Sequence, residues 1–170
     1  MFIPPILDIE ASGFGSESYP IEIGVVTGEG DRLCCLIKPH REWQHWDESA
    51  QNLHGISREM LDTTGRDIRR ICLEFNALLE GTTVYSDAWT HDSPWLRTLY
   101  EYGCVECKFV LSSIESIVTE EQLEYWDAVK QKIITRRGEN YRHRATHDAL
   151  LIQQTWLETS LLVKNRIKLA

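Results

Sequence analysis

The sequence predicts an α/β domain built on a mixed sheet. Three strand-like apolar runs occupy the first forty or so residues, separated by the Gly-rich turns "SGFG" and "GEGD". Behind them, helical periodicity alternates with further short strand-like runs, the pattern of helices layered on a sheet. No repeat, low-complexity run or linker divides the chain, so residues 1–170 read as a single domain.

The elements follow in order. The first strand runs from Ile6 to Glu10, because Pro4 and Pro5 confine its start to the residues after them. "YPIEIGVVT" and "RLCCLIKP" supply the second and third strands. An irregular stretch rich in Trp and His, "HREWQHWDESAQNLHGISREML", ends in a short helical segment. A helix is expected from Asp67 to Glu80, where Ile68, Ile71, Cys72, Phe75, Leu78 and Leu79 keep core-facing spacing and Gly81 stops it. "TTVYSDA" reads as a strand. "DSPWLRTLYEYG" reads as a helix capped by Asp92 or Ser93, with Pro94 in its first turn and Gly103 at its end. "KFVLSS" gives a short strand and "TEEQLEYWDAVKQKI" a helix. The last helix opens near Thr146 to Asp148 and continues through "ALLIQQTWLETSLL".

Composition narrows the class. A hydrophobic share of 42% and a charged share of 26% are those of an ordinary globular protein with a real core. No window approaches the roughly 20 apolar residues that span a bilayer, and "MFIPPILDIE" lacks the pattern of a secretory signal. The expected compartment is the cytoplasm. Five cysteines, two of them adjacent at Cys34 and Cys35, make a poor disulfide framework. Cys104 and Cys107 form a lone C-x-x-C without the second ligand pair that a zinc site needs. The net charge of −8 argues against non-specific coating of nucleic acid. Lys130 to Arg144, "KQKIITRRGENYRHR", nonetheless carries six Lys or Arg against one Glu. On charge alone that run is a solvated basic loop.

The acids are the informative feature. Asp8 and Glu10 lie two apart within the apolar run "ILDIE", so in a strand both project from one face. Two carboxylates about 5 Å apart at an effective dielectric near 20 repel by roughly 3 kcal/mol. Protonation, a basic partner or a divalent cation relieves that repulsion, and an exposed strand end with solvated acids also accounts for a D-x-E alone. Asp92 sits just after a strand and at the start of a helix, where capping and the helix dipole favour an acid. Asp148 opens the last helix, five residues after His143. Together they make four carboxylates at the edges of regular elements and one histidine. Hard oxygen ligands of this kind suit Mg²⁺ or Mn²⁺. A pair of such ions about 3.5–4 Å apart activates water and stabilises the leaving oxygen in displacement at phosphorus.

The order D-x-E, then Asp at a strand-to-helix turn, then H-x4-D resembles the DEDDh branch of the DnaQ-like 3′–5′ exonucleases. That family includes ribonuclease T, oligoribonuclease and the proofreading subunit of DNA polymerase III. The segments that carry the resemblance are "LDIEASG" with "YPIEIGVV", then "LHGISREML", "VYSDAWTHDSPWL" and "HRATHDALL", which run in the family's order from residue 7 to about 151. The resemblance implies a ribonuclease H-like exonuclease fold, a mixed five-stranded sheet flanked by helices. It implies Mg²⁺ or Mn²⁺, two ions per site. Asp8 would bridge both ions, Glu10 and Asp148 would complete the water-activating site, Asp92 would hold the second ion, and His143 would be the general base. The substrate implied is the 3′ end of single-stranded RNA or DNA and the product a nucleoside 5′-monophosphate. A homodimer is possible by analogy with some relatives.

Two positions stay open. Asp87 takes the place of an Asn found in oligoribonuclease-like sequences, five residues before the catalytic Asp, and is a second candidate beside Asp92. His147 adjoins Asp148 and rivals His143, which the family spacing favours. Substrate contacts are expected from Ser12 and Phe14 in the turn after Glu10, from Trp89 as a stacking platform, and from the basic run Lys130 to Arg144, Arg142 and Arg144 among it, toward phosphates upstream of the cut. Trp43, Trp46 and Trp95 are weaker platforms, Glu22 a structural acid and His54 a loop organiser. The competing reading is a non-catalytic module on the same fold that binds nucleic acid or protein.

Overall fold

The computed structural model describes residues 2–138 and 143–169. Its strands are β1 (Ile6–Ala11), β2 (Pro20–Val26), β3 (Arg32–Leu36), β4 (Thr83–Ser86) and β5 (Val110–Ser113). Its helices are α1 (Glu48–His54), α2 (Arg58–Thr64), α3 (Ile68–Leu79), α4 (Trp89–Gly103), α5 (Glu120–Arg137) and α6 (Ala145–Leu169). The strands form one sheet in the order β3-β2-β1-β4-β5. β1, β2 and β3 pair antiparallel, while β4 runs parallel to both β1 and β5. The sheet is mixed, as expected, and β1 with its two acids lies at its centre.

Strand periodicity separates two cores. Leu7 and Ile9 of β1, with Ile21, Ile23 and Val25 of β2, face the larger core under α3 and α4. The opposite face, with Ile6 and Val26, packs on Ala149, Ile152 and Trp156 of α6. Asp8 and Glu10 share the parity of Ile6 and therefore point to the α6 side. α3 buries Ile68, Ile71, Cys72, Phe75 and Leu79, the stripe that its spacing predicts.

The irregular region resolves into α1 and α2, capped by Asp47 and Ser57 side chains. There Trp43 stacks on Tyr19 at 5.1 Å inside the core. Trp46 donates to Gln51 beneath the Arg58 guanidinium. Both tryptophans are spent on packing.

One element starts earlier than its sequence signals indicate. α4 begins at Trp89 rather than at Asp92 or Ser93, so Pro94 is interior and not in the first turn. Asp92 is no N-cap: its backbone N–H donates to the Ala88 carbonyl, and the helix has no side-chain cap hydrogen bond. Its side chain is instead drawn back toward β4, where Ser86 donates to it. Pro94 forfeits one hydrogen bond to the helix interior. No helix among the described residues is long and apolar enough to cross a membrane.

Candidate active site

Close approach of α6 to the sheet builds the site. Gly24 on β2 stands opposite Asp8 on β1. A Cβ at Gly24 would come within 2.5 Å of the Thr146 backbone nitrogen, so glycine there lets the first turn of α6 seat directly on the sheet. Two residues back on the same face, Glu22 is fully buried and accepts from Arg144 Nε at 2.9 Å and from the Ala145 backbone N–H at 2.9 Å. The buried ion pair and the missing side chain fix where α6 begins, and with it the positions of His143 and Asp148.

That placement brings Asp148 to β1. Asp8, Glu10 and Asp148 each offer a carboxylate oxygen, and the three oxygens lie within 4.8 Å of one another. Asp92, buried in the first turn of α4, faces the same pocket. Its Oδ2 accepts from Ser86 Oγ, and its Oδ1 is buried without a hydrogen-bond partner. His143 Nδ1 lies 3.2 Å from Asp148 Oδ2. All five residues line one cavity of about 380 Å³.

The acids strain one another electrostatically. Burial, and then the charge of Asp92, holds the Asp8 carboxyl well above the usual carboxylate range. Burial and the Asp148 charge push Glu10 up to about 8. Burial lifts Asp92 to about 7, against the hydrogen bond from Ser86 that favours its anion. A cluster in which three acids resist ionisation, and in which a buried carboxylate oxygen has no partner, is matched by a bound cation. The oxygen-only donor set suits a hard divalent ion such as Mg²⁺ or Mn²⁺.

The remaining candidates separate. Phe14 lines the pocket and is exposed, with the His91 ring edge-on at 5.6 Å. His91 in turn stacks on Trp95 at 5.8 Å, so the three rings make one wall. Trp95 thus has a larger share of the pocket than its sequence position suggests, and His91 has no strong signal in the sequence. Trp89 lies off this wall, donating its indole N–H to the Leu111 carbonyl. Ser12 is buried in the turn, where its hydroxyl accepts from the Tyr19 N–H and lies 3.2 Å from His45 Nδ1.

Arg144, expected to meet phosphates, is committed to Glu22, because a fully buried carboxylate outcompetes solvent for the guanidinium. Arg142 lies outside the described residues. His147 is exposed and off the pocket, whereas His143 lines it. Asp87 lines the pocket beside Asp92 but is ion-paired with Lys130 at 2.9 Å. Glu22 has the structural role expected of it. His54 accepts from the Ile56 N–H within the turn after α1, which is the loop-organising role, and it also forms part of the pocket wall.

No protein-family model matches the sequence, and no curated protein matches it. Solved structures do. An exonuclease I in apo form superposes with a TM-score of 0.64 at 11% identity, over 89% of this chain and 40% of that one. The Exonuclease I of Methylocaldum szegediense, described as moderately thermophilic, matches with a TM-score of 0.66 at 15% identity, over 95% and 40%. E. coli Exonuclease I in complex with a dA16 oligonucleotide matches with a TM-score of 0.67 at 11% identity, over 91% and 40%. The chain therefore spans about two fifths of the length of these structures. At such identities the likeness establishes the fold: a ribonuclease H-like mixed five-stranded sheet flanked by helices.

Proposed function

We propose that the chain is a divalent-metal-dependent 3′–5′ exonuclease of the DEDDh type, which hydrolyses single-stranded RNA or DNA from its 3′ end. The observation that carries this reading is the meeting of Asp8, Glu10, Asp92, Asp148 and His143 in one pocket from β1, α4 and the start of α6. They come from three widely separated stretches of the chain, and a folding scaffold alone has no use for gathering repelling acids. The solved exonuclease I structures with oligonucleotides share the fold, which supports the reading further.

Asp8, Glu10 and Asp148 would hold one Mg²⁺ or Mn²⁺ ion, and Asp92 together with Asp8 a second. Such ions supply charge for the developing phosphorane oxygens and lower the pKa of a coordinated water. The chain's own residues do the rest. In the tautomer whose Nδ1–H donates to Asp148, 3.2 Å away, His143 would present Nε2 as the atom that takes the proton from the attacking water. The wall of Phe14, His91 and Trp95 offers ring faces and edges to a terminal base. The products are a nucleoside 5′-monophosphate and a strand one residue shorter.

Incubation of 5′-labelled and 3′-labelled oligonucleotides with the protein, with Mg²⁺ or with EDTA, tests the reading. Stepwise shortening from the 3′ end in Mg²⁺ alone is expected. Full-length strands under every condition contradict it, and binding without turnover identifies a module that holds strands and does not cut them.

A further inference from the structure

Charge in the pocket is lopsided. Five carboxylates line it, Asp8, Glu10, Asp87, Asp92 and Asp148, and Lys130 is the sole Lys or Arg among its described lining residues. Arg144 does not redress the balance, because Glu22 occupies it. Lys130 projects from α5, and its Nζ donates to Asp87 Oδ2 at 2.9 Å across the rim of the pocket. Both side chains are 29% exposed. An ion pair so accessible to water is worth at most about 1 kcal/mol, so another anion can displace its acid.

Asp87 is otherwise a poor residue for its place. It stands in the turn between β4 and α4 and adds a fifth like charge to a pocket already lined by Asp8, Glu10, Asp92 and Asp148. A carboxylate that opposes its neighbours persists most readily if the cation it holds has a use. Lysine suits a movable contact, being a compact point charge on a flexible four-carbon stem.

Building on the nuclease reading, we propose that Lys130 is a phosphate-binding residue of this pocket, parked on Asp87 and transferred to a backbone phosphate when a single strand enters. No covalent step is involved. One ammonium exchanges a carboxylate for a phosphodiester, and Asp87 is its competitor.

This makes the two partners opposite in effect. Fluorescence anisotropy of a 5′-labelled single-stranded oligonucleotide, in Ca²⁺ and over a salt series, reads it directly. Lys130→Met should bind roughly three- to tenfold more weakly and flatten the plot of log affinity against log salt by about 0.7, the loss of one single-strand phosphate contact. Lys130→Arg should stay near wild type, and Asp87→Asn should bind more tightly. Wild-type affinity and slope for Lys130→Met overturn the proposal. So does equal weakening by Lys130→Met and Asp87→Asn, which marks the pair as a strap between α5 and the β4–α4 turn. A wild type that binds in the expected pattern yet never shortens a strand removes the hydrolysis reading and keeps the phosphate contact. Strand shortening by a wild type whose binding Lys130→Met leaves unaltered removes the contact alone.

Discussion

At the scale of single residues, His143 and Asp92 carry the sharpest expectations. His143 stands 3.2 Å from Asp148 and is half exposed at the pocket edge, so removing it costs little packing and, under the proposed mechanism, takes away the proton acceptor. His143→Ala should lower kcat by roughly 10²–10⁴, with oligonucleotide affinity nearly unchanged, as read by single-turnover strand shortening beside a binding titration. Asp92 differs in being buried, with Ser86 as its side-chain hydrogen-bond partner among the described residues. Ser86→Ala removes the side-chain donor to that carboxylate and should destabilise the chain by about 1–3 kcal/mol in urea unfolding. The acids themselves were legible in the sequence, because D-x-E in an apolar strand and H-x4-D before a helix are local patterns. The ring wall that includes His91, the pairing of Lys130 with Asp87 and the commitment of Arg144 to Glu22 were not. Each depends on a partner that only folding supplies: Arg144 on Glu22, 122 positions away, and Lys130 on Asp87, 43 away.

At the scale of elements, the junction of β2 with α6 decides whether the site exists. Gly24 and Glu22 act together, one by leaving room and one by gripping the chain just ahead of the helix. Gly24→Ala has backbone, not a flexible side chain, in its way at 2.5 Å and should cost about 1–3 kcal/mol or more. Arg144→Met leaves Glu22 as a buried charge with the Ala145 N–H for company, and about 3 kcal/mol is expected. Glu22→Gln should cost less, since Arg144 keeps partial access to water. Denaturant unfolding of the three variants orders these costs, and a Glu22→Gln cost equal to that of Arg144→Met contradicts the grip. Strands and α3 were legible because periods of two and of 3.6 residues are strong signals in a half-buried element. The start of α4 was misread because Asp92 and Pro94 form a plausible cap and first turn, while the true start at Trp89 has no side-chain cap to announce it.

For the whole molecule, the raised acids couple folding to pH and to metal. Glu10 is pushed to about 8, Asp92 to about 7 and Asp8 well above its ordinary range. Unfolded carboxyls titrate near 4. Between those limits the folded chain binds more protons than the unfolded one, so stability falls as pH rises from about 4 toward 8. In EDTA, the melting temperature should decline across that window. Mg²⁺ or Mn²⁺ should restore it, with about 2.7 kcal/mol at a hundredfold excess over Kd and a rise of roughly 5–10 °C. A pH-independent melting temperature in EDTA contradicts the electrostatic account of the pocket.

The most direct test of the central claim is a Mn²⁺ titration of the wild type and Asp8→Ala, followed by calorimetry. Saturable binding by the wild type that Asp8→Ala abolishes is the predicted result. Matching titrations of the two proteins, or no binding by either, would mean that the acids converge for some purpose other than holding metal.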